Sequence, residues 1–508
     1  MVKKQGKVIV VFSAAFAGLL VLYLLVIAPM LIPPEIEVEL PDLFEGEVMG
    51  MAGRIMIAPR VDRRDIKYVT VQNHVDEYRV VRHEGHDSFF VETAEFAHVD
   101  QEKLSQFFVN TGYLLSMLRV AARDIDDGNE ILEDLEQFGF HENSARFTVT
   151  KLDGSWYRVI IGDRIPTYGG YYVMYEDENG LREAIYILDT MMSDTVLSNR
   201  YSLLVPLVTV PVRTLEQTML VDNFRFYRGQ DLFVHIHNAE IPEDSLLLVN
   251  RQMLYPAPYE VSDYFTDFLT GLLSGLTGER VVHAFGIDDE GFDAEILERF
   301  GFLPYAGKIT FTLNDMEYFI MFSEPNEDGN YYVFSIDLQT VVEIRAEDVP
   351  FFSWGLRRFI EREIFFRNIG DVAEIAVNSE YGKTHFILGG TARDLTVMGG
   401  EYGGVLEPIE DVQNFRRFYM GLLSIALWEE EDDPREEDTE PLAELIVTMR
   451  NGTVYAYRFY FVPTNTRRSF FTVNGNGQFY VMRDRVIKLI HDTARVLSGE
   501  PIDPDIFN

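Results

Sequence analysis

A pattern of alternating apolar and polar residues, interrupted by a polar turn, occurs three times along the chain. It reads ARFTVTKLDGSWYRVIIG at residues 145–162, ITFTLNDMEYFIMF at 309–322 and ELIVTMRNGTVYAYRFYF at 444–461. Alternation with a period of two is typical of half-buried strands, and a polar break between two such runs indicates a hairpin. We therefore predict three hairpins, with turns at Asp153-Gly154, Asn314-Asp315 and Asn451-Gly452. An Asp-Gly turn favours the type I′ geometry, in which both central residues have positive φ.

Further elements surround each of these hairpins in the same order. An earlier hairpin is predicted at residues 66–82, 223–237 and 372–388, and a helical stretch between the two hairpins at 99–125, 261–276 and 412–428. In the first helical stretch the apolar face has helical spacing and comprises Leu104, Phe107, Phe108, Leu114, Leu115 and Leu118. An aromatic strand follows each second hairpin, at 169–175, 329–335 and 468–474, and a final helix is predicted near 187–199, 346–364 and 482–497.

This threefold order predicts an α+β protein with three tandem repeated domains, at residues 65–205, 206–366 and 367–508. Hairpins produce antiparallel neighbours, and the helices need an apolar surface to cover. Each domain is therefore expected to be an antiparallel sheet with helices on one face. A chain of 508 residues is also too long for a single hydrophobic core.

The tripeptide Phe-Gly-Phe precedes the second hairpin in two of the three repeats. Phe138-Gly139-Phe140 follows ILEDLEQ, and Phe300-Gly301-Phe302 follows ILER. A glycine at the end of a helix suits the left-handed conformation, which strains other residues. We therefore expect the phenylalanines of each tripeptide to be buried under the preceding helix. The third repeat lacks the tripeptide.

The N-terminus predicts a membrane anchor, because residues 8–32 are uncharged and mostly apolar. A helix of this length spans a bilayer core of about 30 Å. Lys3, Lys4 and Lys7 precede it and acidic residues follow it, so the N-terminus is expected in the cytoplasm and the bulk of the chain outside. We predict a cytoplasmic stub and transmembrane helix at residues 1–34, a linker at 35–64, and a single-pass protein of the cell membrane. The alternative is a cleaved signal peptide, with Pro29 following the cut.

Composition narrows the classes of partner and site. The chain has 47% hydrophobic residues, a formal net charge of −38 and no cysteine. The hydrophobic content supports folded cores, whereas the negative charge disfavours nucleic acid, whose phosphates it would repel. The lack of cysteine excludes disulfides, thiolate zinc sites and cysteine nucleophiles. No cofactor is predicted, and the oligomeric state is left open.

Two histidine pairs are the candidates for metal binding, and for the pair in LFVHIHN the sequence fixes no third ligand. His235 and His237 alternate along LFVHIHN and are expected on one face of a strand. We favour two solvent-facing side chains over a metal site there. His83 and His86 flank Gly85 in a predicted turn.

The acidic run WEEEDDPREEDTE at 428–440 lacks the alternating ligands and central glycine of a calcium loop, and is predicted to be a solvated loop.

No catalytic arrangement stands out, so we predict a protein that is not an enzyme. GLLSGLTG at 271–278 lacks the spacing of a nucleophile elbow, and VNGNGQF at 473–479 lacks the helix of a dinucleotide motif. Among 82 acidic residues no carboxylate pair can be singled out. The tyrosine pairs Tyr171-Tyr172 and Tyr331-Tyr332 should each direct one ring to the core. Sheet packing is their favoured role, and binding of a glycan or a protein is the alternative.

The run from FGF through ARFTVTKLDGSWYRVIIGDRIPTYGGYYVMYEDENGLREAIYIL, within residues 138–188, resembles an uncharacterised bacterial family, domain of unknown function 4340. Members of that family carry a comparable run after a membrane anchor. The likeness is good over residues 100–200, weaker in the second repeat and at most structural in the third. Some relatives are associated with ABC-type exporters and gliding-motility machinery, so the resemblance implies an auxiliary extracytoplasmic component. The family has no agreed catalytic residues to transfer.

Three functions are compatible with the sequence. The first is an anchored extracytoplasmic scaffold or accessory protein of a bacterial cell-envelope complex. Its partners would be the membrane and an envelope protein, with an ABC-type transporter as the complex that the resemblance implies. The second is an extracytoplasmic regulator of a membrane sensor kinase, whose layout is similar to multi-domain regulators in Gram-positive bacteria. The third is an envelope hydrolase, which would need a polar cleft lined with carboxylates.

Overall fold

A computed structural model describes residues 20, 21, 23, 42–123, 128–167, 169–189, 195–209, 214–239, 250–286, 294–430 and 440–503. The chain forms two compact units, one of residues 1–66 and 108–193 and the other of residues 67–107 and 194–508. The predicted transmembrane span at 8–32 lies almost entirely outside the described residues. Within the described ranges, no helix has the length and apolar character needed to cross a membrane.

The segment after the predicted span is packed onto the first unit. It contains a two-stranded antiparallel sheet of β1 (Val48–Met49) and β2 (Ile55–Met56). The carboxylate of Glu47 is buried and lies 2.7 Å from Nη1 of Arg119. The hydroxyl of Tyr186 donates a hydrogen bond of 2.6 Å to the same carboxylate. These contacts hold residues that the sequence assigned to a linker.

The first large sheet lies between residues 66 and 189. Its strands within the described residues are β3 (Ile66–Gln72), β4 (Glu77–Arg82), β5 (Phe89–Val91), β6 (Leu118–Ala122), β7 (Arg146–Lys151), β8 (Trp156–Arg164), β9 (Gly170–Asp177), β10 (Gly180–Leu181) and β11 (Ala184–Asp189). The order across the sheet is β5-β4-β3-β7-β8-β9-β11-β6, and β10 pairs with β9.

The second and third large sheets lie in the second unit. The second sheet contains β12 (Asp222–Arg228), β13 (Asp231–Asn238), β14 (Arg251–Tyr255), β15 (Arg280–Ala284), β16 (Gly307–Leu313), β17 (Met316–Phe322), β18 (Tyr331–Ser335) and β19 (Thr340–Ile344). The third contains β20 (Val372–Ser379), β21 (Gly382–Gly390), β22 (Leu395–Glu401), β23 (Glu407–Pro408), β24 (Leu427–Glu430), β25 (Ala443–Met449), β26 (Val454–Phe461), β27 (Arg468–Val473) and β28 (Asn476–Met482). Their orders are β14-β13-β12-β16-β17-β18-β19-β15 and β23-β22-β21-β20-β25-β26-β27-β28-β24.

The three large sheets share one strand order. When the eight main strands of each sheet are counted along the chain, the order across the sheet is third, second, first, fifth, sixth, seventh, eighth and fourth. The short strands β10 and β23 are additions to this pattern. Neighbouring strands run antiparallel, as the two hairpins of each repeat require. The prediction of three antiparallel sheets accompanied by helices is confirmed, and the three domain boundaries stay a prediction.

The predicted turns occupy equivalent places, since each connects the fifth and sixth strands of its sheet. The type I′ geometry is present at Asn314-Asp315, where the φ angles are 52° and 62°. At Asp153-Gly154 the type I′ prediction is wrong, because only Gly154 has positive φ. There the loop has three residues, and the Lys151 N–H donates to the carbonyl of Ser155 at 2.8 Å. A three-residue loop needs a single left-handed residue, which glycine supplies.

Seven α-helices lie within the described residues: α1 (Gln101–Gly112), α2 (Gly128–Leu132), α3 (Leu215–Met219), α4 (Tyr264–Leu273), α5 (Ala294–Arg299), α6 (Val412–Leu423) and α7 (Arg483–Ser498). The 3-10 helices there are Met51–Gly53, Arg63–Asp65, Glu136–Phe138, Arg200–Leu203, Ala346–Asp348, Pro350–Ser353, Leu356–Arg358 and Ile369–Asp371. Helices α1, α4 and α6 lie in the predicted stretches between the hairpins. The first and third of these stretches were predicted too long, because the fourth strands β6 and β24 begin inside them.

The predicted final helix is present as α7 in the third repeat. It is wrong for 346–364, which contains three 3-10 helices, and for the described part of 187–199. The apolar runs before these two regions form the eighth strands β11 and β19, which pair with the fourth strands β6 and β15. The periodicity of a short apolar run is compatible with either a strand or a helix. These runs form strands because they pair with the fourth strand, whose backbone groups would otherwise lack partners on this side.

The two Phe-Gly-Phe tripeptides are packed against aromatic residues of the seventh strands. The ring of Phe138 meets that of Tyr172 edge to face, with centroids 4.9 Å apart, and Phe300 meets Tyr332 in the same way at 5.1 Å. Phe140 is buried in a cluster with Met174 and Ile185, and Phe302 is fully buried with Phe285 and Phe334. The predicted burial is confirmed for Phe140, Phe300 and Phe302, whereas Phe138 is half-buried.

Both tripeptide glycines adopt the left-handed conformation that the sequence predicts. Gly139 has a φ of 78° and ends a 3-10 helix, and Gly301 has a φ of 76° shortly after α5. At Gly139 the space is also restricted, since an added Cβ would lie 2.5 Å from the backbone nitrogen of Asp163. Gly154 has a similar φ of 89°, but an added Cβ there would meet nothing within 4 Å.

Replacing Gly139 with alanine should therefore destabilise the protein more than replacing Gly154. The left-handed conformation costs alanine about 1–2 kcal/mol at either site, and the clash with Asp163 adds about 1–3 kcal/mol at Gly139. Thermal unfolding of the full-length protein in detergent would measure the difference. Equal melting temperatures for Gly139→Ala and Gly154→Ala would contradict the close approach at Gly139.

Candidate functional site on the second sheet

His235 and His237 lie on β13 and share one face of the second sheet. Val234 and Ile236, which alternate with them, are buried in the core on the opposite face. Both histidines are half-buried. The prediction that the pair shares a face is therefore confirmed.

Strand register places basic and aromatic residues beside this pair. Arg225 on β12 lies directly across from His235, and Tyr255 on β14 lies across from it on the other side. Tyr255 is 44% exposed. We name one group of residues on this side of the sheet the cationic face: Arg225, Tyr227, His235, His237, Tyr255, Tyr305 and Lys308.

Lys308 is held at the cationic face by two aromatic rings. It lies on β16, directly across from Tyr227 on β12. Its ammonium group is 4.6 Å from the centre of the Tyr227 ring and 5.3 Å from that of Tyr305. Attraction between the cation and the electron-rich ring faces keeps the charge at this surface.

The two strong bases of the cationic face form no ion pair within the described residues. Neither Arg225 nor Lys308 has an ion-pair partner there. The nearby carboxylate of Asp222 already accepts hydrogen bonds of 2.6 Å from the N–H groups of Asn223 and Asn238. This locally positive surface belongs to a chain whose formal net charge is −38.

His235 responds to this surrounding charge. Burial lowers its pKa, as do the positive charges of Arg225 and His237, while Asp222 acts in the opposite direction. Among the described residues, Nε2 of His235 has no hydrogen-bond partner. No group of three histidine or acidic side chains in this part of the chain could hold a metal ion. Arg225 would also repel a metal cation, so the arrangement suits an anion instead.

The second histidine pair belongs to a turn. The N–H of His86 donates to the carbonyl of His83 at 3.2 Å, and Gly85 has a φ of 74°. The ring of His83 packs against Phe90 with centroids 4.6 Å apart. The turn predicted around Gly85 is confirmed.

Most of the acidic run at 428–440 lies outside the described residues.

A second polar site, Glu260 with Arg367, was not identified from the sequence. Oε2 of Glu260 lies 2.9 Å from Nη2 of Arg367, and the guanidinium lies over the ring of Tyr455 at 5.6 Å. The Tyr419 hydroxyl donates to the carbonyl of Arg367 at 2.9 Å. Tyr457 is also buried here, and its pKa is raised first by burial and then by the charge of Glu260. The cluster joins a loop after β14 to residues of the third sheet.

Neighbouring contacts show that this loop is a junction within the second unit. The N–H of Glu361 donates to the carbonyl of Glu260 at 2.8 Å. The ring of Tyr259 meets that of Phe479 edge to face at 5.4 Å. The N–H of Gln478 donates to the Tyr259 hydroxyl at 3.2 Å. Glu260 thus contacts the segment before the third sheet, and Tyr259 contacts the sheet itself.

The pKa of Glu260 would suit a general acid or base, but its surroundings are those of a structural ion pair. Burial raises its pKa to about 7, against the lowering effect of Arg367. A carboxyl group that titrates near neutrality is typical of general acids and bases, and also of buried ion pairs. Because Glu260 is 8% exposed and bonded to Arg367, we interpret the pair as part of the junction. Among 82 acidic residues, nothing in the sequence distinguishes it.

The remaining candidates have packing roles. The rings of Tyr172 and Tyr332 contact the tripeptide residues Phe138 and Phe300. The ring of Tyr331 stacks on that of Phe352, with centroids 5.2 Å apart. Tyr172 and Tyr332 pack against buried core clusters, so one ring of each tyrosine pair faces a core as predicted, and all four rings are half-buried. GLLSGLTG at 271–278 lines a shallow depression. The Arg345 guanidinium at its edge is neutralised by Glu279, Glu347 and Asp348.

No family model matches this chain, and no curated protein matches it either.

Proposed function

We propose that this protein is a single-pass, membrane-anchored scaffold or accessory component of a bacterial cell-envelope complex, with its three sheets outside the cytoplasm. The observation that supports this proposal best is the use of one strand order in three successive sheets. Tandem copies of one domain extend the surface that a protein offers to partners. In this proposal each sheet and its helices form one α+β repeat domain, as in the family that residues 138–188 resemble.

The buried charged groups support a structural use of the sheets. Glu47 is bonded to Arg119, and Glu260 to Arg367. Arg200 donates to both carboxylate oxygens of Asp76, at 2.9 and 2.7 Å. Partial burial alone would raise the pKa of Asp76, but these hydrogen bonds lower it overall. Each pair connects segments that are distant in the sequence. Its charges therefore stabilise the fold.

The position of Glu47 supports a short tether between the proposed anchor and the first unit. The Phe44 N–H donates to the Glu47 carboxylate at 2.9 Å, which fixes the chain from this point onward. The intervening residues 33–43 reach at most about 40 Å when fully extended. The first repeat would then stay close to the membrane, where an accessory component can contact a transporter.

Fractionation of cells tests the anchor. The full-length protein is expected in the membrane pellet after carbonate and high-salt washes, and external protease should remove nearly all of its mass from intact protoplasts. A variant without residues 8–32 is the matched control and should be soluble. A soluble mature protein that begins near Pro29 would instead show that the apolar segment is a signal peptide.

Cross-linking in intact cells tests the partner. Recovery of permease and ATPase subunits with the full-length protein would support the accessory role. Recovery of a sensor kinase in their place would contradict it.

A further inference from the structure

We infer that the cationic face of the second sheet binds a sugar phosphate, with the phosphate at Arg225 and Lys308 and the sugar ring on Tyr255. This inference goes beyond the scaffold role and does not depend on the membrane anchor. It follows from the charge, the register and the aromatic residues of the face.

The charge of the face is the first reason. Some bases on the sheets of this unit are paired with acids, as in Arg280 with Glu343 at 2.8 Å and Arg458 with Glu444 at 2.8 Å. Arg228 and Arg251 on the second sheet instead donate to neutral oxygens of Trp354 and Thr218. On the cationic face, Arg225 and Lys308 have no such partner among the described residues. Two uncompensated cations on an acidic protein attract a compact anion and give it a specific location.

The size of the face is the second reason. Arg225 lies between His235 on one side and Thr310 of β16 on the other. Lys308 is two residues from Thr310 and therefore on the same side of β16. Neighbouring strands are about 4.8 Å apart, and residues two apart on one strand are separated by about 6.7 Å. The Cα atoms of Arg225 and Lys308 therefore lie within about 10 Å of one another, which is close enough for both side chains to reach a single phosphate ester.

The polar groups can bind a phosphate by hydrogen bonds as well as by charge. An arginine offers a planar fork of donors that matches two phosphate oxygens, and a lysine adds an ammonium group with three donors. Nε2 of His235 is a buried atom without a hydrogen-bond partner among the described residues, so it is not counted as a contact to the phosphate. Arg225 and Lys308 together can contact several oxygens of one phosphate.

The aromatic residues point to a sugar rather than to free phosphate. Tyr227 and Tyr305 are occupied with the Lys308 ammonium group, which they hold in position. Tyr255 is exposed across from His235 and offers a ring face next to the cations. An exposed tyrosine presents an apolar surface for a sugar ring and a hydroxyl for its polar edge.

Titration calorimetry with the full-length protein in detergent tests the inference. The probes are glucose 1-phosphate, inorganic phosphate, glucose and a polyglutamate peptide. We expect glucose 1-phosphate to bind more tightly than inorganic phosphate, and glucose to show no binding. Arg225→Gln and Lys308→Gln should each weaken binding of glucose 1-phosphate about tenfold or more, as the loss of one charged hydrogen bond implies.

Two further variants distinguish recognition of the sugar from a general attraction of anions. Tyr255→Ala should weaken glucose 1-phosphate and leave inorganic phosphate unchanged. Arg393→Gln, at an exposed arginine near the third sheet, is the matched control and should change neither. Unchanged melting temperatures would show that the variants fold. Equal binding of phosphate and sugar phosphate, tighter binding of polyglutamate, no binding, or no loss in Arg225→Gln would each overturn the inference.

Discussion

Glu260→Ala is expected to lower the free energy of unfolding by about 3–5 kcal/mol, because it leaves the buried guanidinium of Arg367 without its counter-charge. Thermal or urea unfolding of the full-length protein in detergent would measure the loss. Glu380→Ala, at an exposed glutamate between β20 and β21, is the matched control and should change stability by less than about 0.5 kcal/mol. Equal effects of the two variants would show that the junction is not held by this pair.

The partner variant should have a smaller effect. Arg367→Met retains an apolar stem and removes the charge, and Glu260 can then take up a proton, whereas an arginine cannot lose one. Glu260→Ala should therefore destabilise the protein more than Arg367→Met does. The opposite ranking would mean that the stem of Arg367, and not its charge, stabilises the junction.

The same carboxyl group makes the stability of the second unit dependent on pH. Its pKa is about 7 in the folded protein, above its ordinary value of 4.5, because burial disfavours the charged form. A raised folded-state pKa means that this contribution is complete below about pH 4.5 and is lost as the pH rises through about 7. Glu260→Gln stays neutral, so the stability of the wild type relative to this variant should fall between about pH 5 and 8. A constant difference would contradict the raised pKa.

Phe302→Ala is the second change with a large expected effect. The Phe302 ring is fully buried beside Phe285 and Phe334, and removing such a ring costs about 3–5 kcal/mol, since the cavity does not close completely. Leu303→Ala is a control at the next position, where the side chain is 50% exposed, and should cost less than about 0.5 kcal/mol. Phe140→Ala in the first unit should act in the same direction as Phe302→Ala.

Melting curves of the three variants and the wild type in detergent would test this. Small and equal shifts for Phe302→Ala and Leu303→Ala would show that the tripeptide is not part of the core. The Phe-Gly-Phe repeat would then be better explained as a surface for a partner.

Elements that depend on neighbouring residues were predicted well. Hairpins need only alternating apolar residues and a break with turn residues, so the turn at Asn314-Asp315 and its two counterparts were found in equivalent places. The left-handed glycines of the tripeptides follow from the same kind of local signal. The errors fall where pairing is distant, as around residues 346–364, which follow strand β19 and contain only short 3-10 helices.

The candidate site shows the same division. Alternation along β13 was enough to place His235 and His237 on one face. Arg225 and Lys308 reach that face only through the pairing of β12 with β13 and β16. From the sequence alone the histidine pair is favoured as two solvent-facing side chains, with a metal site as the alternative, and only the register brings the neighbouring cations into the argument.

The sequence by itself determined the repeated unit, the hairpins and the buried tripeptides, because these depend on periodicity, turn residues and residue size over short distances. Only the tertiary structure decided the common strand order, since the fourth strand of each sheet pairs with the eighth, far along the chain. It also decided the partners of the charged groups. Glu260 meets Arg367 because a loop of the second sheet folds against the segment before the third, and Lys308 joins Arg225 because their strands are adjacent. Such contacts depend on which surfaces are buried against each other, and the local sequence does not show which surfaces these are.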